Sequence, residues 1–179
     1  MYDWANSAFA TTVMAGFFPI FFEKYWSNPN HVDESTFYLG LSNSVAALIV
    51  AIMAPFLGAI SDIGSLKKKF LFTFAFLGIL STLMLWFVAQ GDWQLAAILY
   101  ALGCIGFSSG NVFYDSMLPF VAKREELDFV SSLGFSMGYL GGGLLFVLNI
   151  LMYQNPSWFG IPDSSVAIRL SFVTVGIWW

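Results

Sequence analysis

The chain contains a charge-free stretch from Phe129 to Tyr153, FVSSLGFSMGYLGGGLLFVLNILMY, which is 25 residues long. About 20 helical residues cross the hydrocarbon core of a bilayer. Its apolar residues are continuous rather than alternating, which favours a helix over a transmembrane strand. A helix also satisfies every backbone polar group internally, as lipid requires. The stretch therefore predicts a membrane-spanning helix.

On either side of this stretch lie further apolar blocks, separated by short polar turns. The predicted spans are residues 4–22, 37–60, 70–89, 93–114, 129–153 and 165–179. Short connections place consecutive helices side by side and antiparallel. We therefore predict an all-α, polytopic membrane fold: a single six-helix transmembrane bundle over residues 1–179. Its last helix shows no ending signal before Trp179 and is expected to be truncated at the C-terminus.

The composition supports a lipid environment and excludes several function classes. Hydrophobic residues make up 58% of the chain and charged residues only 10%, where a soluble domain carries about 25%. A net charge of −4 without a basic stripe argues against nucleic acid as a partner. One histidine and one cysteine cannot form a metal cluster, and no phosphate-binding loop occurs, so we expect no metal and no cofactor.

The distribution of lysine and arginine predicts the orientation. Five basic residues fall in the second and fourth connections, and two fall on the opposite side. Because basic residues accumulate on the cytoplasmic side, both termini are expected to be cytoplasmic. The five are Lys67, Lys68, Lys69, Lys123 and Arg124, and the two are Lys24 and Arg169.

An enzyme is not expected. Gly106-Phe-Ser108-Ser-Gly110 matches the G-x-S-x-G pattern of hydrolases. That motif requires a strand-to-helix elbow and a histidine base. Here the pattern lies within a predicted span, and His31 lies in an outer connection, so small residues that pack helices explain it better.

The connection between the second and third helices carries a motif. Gly58-Ala-Ile-Ser-Asp62 is followed by Lys67 and Lys68. It resembles the cytoplasmic loop signature of the major facilitator superfamily, although Ile63 stands where an arginine is usual. Gly58 would permit close helix contact, Asp62 would pair or cap at a helix end, and the lysines would stay at the cytoplasmic surface. A plain basic loop remains the alternative.

Four other segments are similar to the Atg22-like family of that superfamily. They cover residues 2–9, 112–119, 132–143 and 169–179, which match its first, fourth, fifth and sixth helices in order. The resemblance implies a twelve-helix fold of which this chain is the N-terminal half, with a C-terminal six-helix half as partner. Fungal members are vacuolar and linked to amino-acid efflux, and a bacterial member would lie in the cytoplasmic membrane.

A glycine face is predicted on the fifth helix. Gly134, Gly138 and Gly142 recur at every fourth residue and therefore share one side. Tight helix packing is one interpretation. The alternative is that this face slides against the other half of the transporter.

Polar residues within the spans are the candidate site residues, because burying them in lipid costs free energy. We predict that Asn6, Asn111 and Arg169 face a solute cavity near the midplane. Structural hydrogen bonding within the bundle is the alternative for each.

Two carboxylates, Asp3 and Asp115, are expected near the cytoplasmic face. Coupling to protons is one interpretation. The other is a gate, in which Asp62 and Asp115 pair with Lys67 or Lys68 and hold the helix ends together.

The sequence thus predicts a secondary active transporter of a small solute that works by alternating access. A membrane scaffold without transport activity, or a lipid-handling protein, is the alternative.

Overall fold

The computed structural model describes residues 1–27, 32–61 and 66–179, and the described chain is helical without strands. Five of its helices are long and apolar enough to cross a membrane, and a sixth apolar helix is shorter. The all-α, polytopic membrane fold predicted from the sequence is confirmed. The helices are α1 (Tyr2–Trp26), α2 (Val32–Ser61), α3 (Lys67–Met84), α4 (Trp93–Ser116), α5 (Leu127–Gln154) and α6 (Ser164–Trp178).

Helix α1 contains two widened π-helical segments, Phe9–Phe17 and Phe22–Trp26. The backbone N–H of Phe18 bonds to the carbonyl of Val13, five residues earlier. Pro19 follows, and in a regular α-helix its ring would clash with the carbonyl four residues before it. Widened turns around the proline relieve that clash, so α1 continues to Trp26 without a break.

At the Trp26 end of the bundle, six rings form an aromatic cluster that joins α1, α4 and α6. The Phe18 and Tyr100 rings stack with centroids 4.0 Å apart, and Trp26 stacks on Phe172 at 5.9 Å. Trp26 is 0% exposed, and its Nε1 donates a hydrogen bond to the Val88 carbonyl at 3.5 Å. The cluster consists of Phe18, Phe21, Phe22, Trp26, Tyr100 and Phe172.

Helices α3 and α4 touch through their backbones. A Cβ placed on Gly106 would lie 2.7 Å from the Cα of Gly78 and 2.7 Å from the carbonyl oxygen of Phe74. Only glycine fits such an approach, and close backbone contact is a main source of helix association in lipid. The hydrolase-like pattern around Gly106 therefore lies on a packed helix face, with no strand-to-helix elbow.

The outer surface of the described bundle is apolar, as lipid contact requires. Helix α2 packs against α4 and the end of α1, where Tyr38 and Trp93 stack at 4.1 Å. Its other faces present large apolar side chains, among them Phe37 and Phe56. On α3, Phe72 is 71% exposed. A surface of this kind needs lipid or another set of helices to cover it.

Candidate functional site

A polar cleft of about 240 Å³ lies between α1, α4 and α5, at the end of the bundle opposite the aromatic cluster. Polar side chains inside an apolar bundle are unusual, because each needs a partner there. Their spacing explains how they converge: they recur three or four residues apart on one face of α1 and one face of α4. The polar lining consists of Asp3, Asn6, Ser7, Thr11, Asn111 and Asp115.

An amide pair forms the floor of this cleft. Asn6 Nδ2 donates a hydrogen bond to Asn111 Oδ1 at 2.5 Å. Asn6 is only 2% exposed, whereas Asn111 is half-buried. The bond joins α1 to α4, so these two residues, which the sequence singled out separately, lie together.

The glycine face of α5 packs against α1 residues that line the cleft. A Cβ on Gly134 would lie 2.5 Å from Asp3 Oδ2, and one on Gly138 would lie 2.6 Å from Ser7 Oγ. One on Gly142 would lie 2.9 Å from the carbonyl oxygen of Ser7. Helix α1 of the same chain therefore occupies this face.

Thr11 ties the two helices together at this contact. Its hydroxyl lies 3.2 Å from the Gly142 carbonyl oxygen on α5 and 3.1 Å from the Ser7 carbonyl oxygen on its own helix, and it donates to these acceptors. A threonine on α1 therefore contacts the backbone of α5 only because residue 142 has no side chain.

Aromatic rings complete the wall. Phe107 on α4 and both Phe135 and Tyr139 on α5 line the cleft. Tyr139 is 76% exposed, which is high for so large a side chain. The sequence does not distinguish these rings, because an aromatic residue in an apolar span carries no signal that separates a cavity wall from a lipid contact.

The basic residues of the loop motif lie close to the cleft. Lys67 Nζ donates to the Ser116 carbonyl at 3.4 Å and lies 4.8 Å from the centroid of the Phe120 ring. Lys68 lines a neighbouring pocket of about 230 Å³, to which Asp3 and Asp115 also contribute. Gly58 lies on α2, and a Cβ there would meet none of the described atoms within 4 Å. Asp62, the other member of the predicted gate, lies outside the described residues.

Arg169 lies apart from the cleft. Its Nε donates to the backbone carbonyl of Trp86 at 3.1 Å, its Nη2 donates to the same oxygen, and its guanidinium lies 4.9 Å from the Trp86 ring centroid. The structure therefore brings Asn6, Asn111 and Asp115 together and places Arg169 at the junction of α6 with the end of α3.

A second buried amide lies between α5 and α6. Asn149 is fully buried, and its Oδ1 accepts a hydrogen bond from Thr174 Oγ1 at 3.0 Å. Neither residue lines the cleft. This polar pair joins α5 to α6 outside the cleft.

The model of one protein family matches the chain. It is described as vacuole effluxer Atg22 like, and it matches residues 26–128, more than half of the chain. The chain belongs to the Atg22-like family. The resemblance found in the sequence motifs is thereby confirmed.

Curated relatives of this Atg22-like chain are bacterial and fungal. It is 37% identical over 181 residues to the "uncharacterized MFS-type transporter YxiO" of Bacillus subtilis, an alignment that covers 100% of the chain and 42% of that protein. It is 29% identical over 163 residues to an uncharacterized protein of Aquifex aeolicus, covering 90% of the chain and 39% of that protein. It is 25% identical over 173 residues to autophagy-related protein 22 of Vanderwaltozyma polyspora, covering 86% and 32%.

The Atg22-like chain thus spans about two-fifths of the length of the first relatives it matches. This fits one half of a longer transporter. The family match includes the cleft residues of α4, whereas those of α1 and α5 lie outside it but within the alignment to the Bacillus protein. No solved structure matches the chain.

Proposed function

We propose that this chain is the N-terminal half of a secondary active transporter, and that the polar cleft holds part of its solute. The names of the relatives, an MFS-type transporter and a vacuole effluxer, support a transport role. The observation that carries the proposal is the Asn6–Asn111 pair at the floor of an open cleft. Amides in a membrane interior that border an opening are suited to bind a polar solute.

The proposed mechanism is alternating access. The solute is held between this half and a second six-helix half, and the two halves rock around it. The gradient of a coupling ion supplies the driving force. In a bacterium the protein would act in the cytoplasmic membrane, with both ends of this chain on the cytoplasmic side. Amino acids are the solutes to test first, because the resemblance to fungal members of the family implies amino-acid efflux.

The test is solute flux in proteoliposomes that contain the intact transporter. A mixture of radiolabelled amino acids should exchange across the vesicle membrane in a counterflow assay. Asn6→Ala and Asn111→Ala should each reduce the exchange about tenfold, equivalent to about 1.4 kcal/mol of binding free energy. Ser136→Ala is the matched control, because Ser136 is exposed on α5 and its hydroxyl bonds to the Ser132 carbonyl of its own helix at 2.8 Å.

The alternative functions give different results in the same vesicles. A lipid-handling protein would move a fluorescent phospholipid between leaflets while leaving solute exchange at background. A scaffold would do neither. Either result would reject the transport proposal.

A further inference from the structure

The connection between α5 and α6, residues 155–163, is a compact turn with its own hydrogen bonds. It contains the 3₁₀ turn Pro156–Phe159, in which the backbone N–H of Trp158 donates to the Asn155 carbonyl at 3.1 Å. Gly160 then reverses the chain with a φ of 66°, a left-handed conformation that glycine adopts without a steric penalty. The backbone therefore sets the directions in which the side chains of this connection point.

Two further contacts fasten the connection to its helices. The side chain of Ile161 is buried against Met152 on α5 and Ala167 on α6. The carboxylate of Asp163 accepts hydrogen bonds from two backbone N–H groups in the first turn of α6, at 2.8 Å and 2.9 Å, and thereby caps that helix. The connection is thus joined to both helices by packing and by a cap.

Two large rings nevertheless point away from this ordered turn. Trp158 is 74% exposed and Phe159 is 42% exposed. A phenyl ring forms no strong hydrogen bonds, and an indole donates only one, so neither side chain gains much from water. A fixed turn that holds two such rings outward needs a surface to cover them.

The length of α5 places the connection at the surface of the bilayer. This helix has 28 residues, which is about 42 Å at 1.5 Å per residue, compared with about 30 Å for the hydrocarbon core and about 40–45 Å including the headgroups. Leu148 and Leu151 are exposed in its last two turns, so its apolar outer surface reaches the start of the connection. The rings that follow therefore lie at the level of the lipid headgroups.

The charge of the connection also fits a lipid surface. Residues 154–162 contain no aspartate, glutamate, lysine or arginine, and the carboxylate of Asp163 is engaged in the cap of α6. Partial burial among lipids would therefore remove no free charge from water. Tryptophan is enriched at this depth, because its ring is apolar and its N–H can still meet water or a lipid ester.

We propose that Trp158 and Phe159 form an interfacial anchor, which inserts into the boundary between headgroups and acyl chains beside the α5–α6 connection. The partner is the lipid surface itself. Because the turn is fastened to both helices, the anchor would hold the ends of α5 and α6 at one depth in the bilayer. Neither ring lines the polar cleft, so the anchor is independent of solute binding.

Spin labels measure whether the connection reaches lipid. Ser157→Cys and Glu125→Cys are labelled singly in the intact transporter, with its other cysteines, Cys104 among them, replaced by alanine. The protein is then placed in phosphatidylcholine liposomes. Oxygen concentrates in lipid and a nickel chelate stays in water. Ser157 is exposed beside Trp158, and Glu125 is exposed in a charged 3₁₀ turn between α4 and α5, which makes it the matched aqueous reference. The ratio of oxygen to nickel collisions should be higher at Ser157→Cys.

Substitutions beside the label assign this excess to the rings. Trp158→Ser combined with Phe159→Ser should lower the ratio at Ser157→Cys to the value at Glu125→Cys. Trp158→Tyr should keep the excess, because tyrosine shares the preference for the interface. Both side chains are exposed, so these substitutions leave the packing of the bundle intact.

Three results would overturn the anchor. Equal ratios at Ser157→Cys and Glu125→Cys would place the connection in water. A label at Ser157→Cys shielded from both oxygen and nickel would show that another protein surface covers the rings. An excess that survives the double serine variant would show that the rings do not hold the connection in the lipid.

Discussion

Asn6 and Asn111 lie 105 positions apart in the chain, yet their amides share a direct hydrogen bond inside the bundle. Each could be selected from the sequence, because an amide within an apolar span needs a partner. Their pairing could not be derived, since it depends on how α1 crosses α4. Whether the pair also contacts a solute is a separate question, which the flux assay addresses.

At the residue scale, removal of one amide side chain should lower the free energy of unfolding by more than its own hydrogen bond contributes. We predict that Asn111→Ala lowers the free energy of unfolding by about 1–3 kcal/mol, because the buried Asn6 amide then lacks its partner. The Asn6→Ala and Asn111→Ala double variant should lose less than the sum of the two single variants, as expected for coupled residues. Chemical unfolding in detergent, followed by tryptophan fluorescence, measures all three, and fully additive losses would contradict the contact.

A second residue-scale prediction concerns Arg169. Arg169→Lys keeps the charge but loses the two nitrogens that bond to the Trp86 carbonyl. We expect the free energy of unfolding to fall by about 1–2 kcal/mol, because a lysine cannot reproduce the planar fork. Solute affinity should not change, since Arg169 does not line the cleft. The opposite result, weaker solute binding with normal stability, would show that Arg169 belongs to the binding site.

Arg169 also marks a limit of sequence reasoning at this scale. The sequence shows a cation near the start of a span, where a cavity and a helix junction are equally good explanations. Its actual partner is a backbone carbonyl in the 3₁₀ turn Leu85–Phe87 that ends α3. A backbone acceptor leaves no trace in the side-chain pattern, so only the three-dimensional arrangement could identify it.

At the element scale, the α1–α5 contact depends on missing side chains. Two neighbouring glycines provide a test, because Gly142 faces α1 and Gly143 faces open space. A Cβ on Gly142 would lie 2.9 Å from a backbone oxygen of Ser7, while one on Gly143 would meet nothing within 4 Å. The contact between the two helices can therefore be tested by placing alanine at each of these adjacent positions in turn.

We predict opposite effects for the two alanine variants. Gly142→Ala should lower the free energy of unfolding by about 1–3 kcal/mol, because backbone atoms must move to admit the methyl group. Gly143→Ala should raise it by about 0.5–1 kcal/mol, since alanine is the better residue in a helix interior. Thermal unfolding of the two variants in one detergent measures the difference, and equal effects would be inconsistent with this contact.

The existence of the helices was predictable, but their internal geometry was not. Apolar length alone indicates α1, and the structure carries that helix from Tyr2 to Trp26, beyond the predicted residues 4–22. The added residues are polar or aromatic, so hydropathy underestimates the length of the helix. The π-helical turns of Phe9–Phe17 could not be predicted either. A continuous apolar span has no alternation of polar and apolar residues, so its sequence does not show how many residues each turn contains.

At the scale of the whole molecule, the charge distribution predicts the orientation in the membrane. Lys123 lies in the connection between α4 and α5, and Ser157 lies in the next connection, on the opposite side of the bundle. Cysteines introduced singly as Lys123→Cys and Ser157→Cys should differ in access to an impermeant thiol reagent. In intact cells Ser157→Cys should be labelled, and Lys123→Cys only after permeabilisation. The reverse pattern would invert the predicted topology.

The family and the all-helical membrane fold both followed from the sequence, for different physical reasons. Lipid admits few backbone solutions, so apolar length is enough to specify helices. Motifs such as residues 112–119, within the matched region, identify the family. The cleft is harder to predict, because its chemistry combines residues from three helices.

The aromatic cluster sets a condition on how the molecule can move. Making a water-filled passage through that end by local rearrangement would wet six buried rings, at about 1.5–3 kcal/mol for each. Tilting the six-helix unit as a rigid body would wet none of them. Under the proposed mechanism, the cluster therefore acts as a fixed hydrophobic seal, and access at that end must open along its border with other helices rather than through its centre.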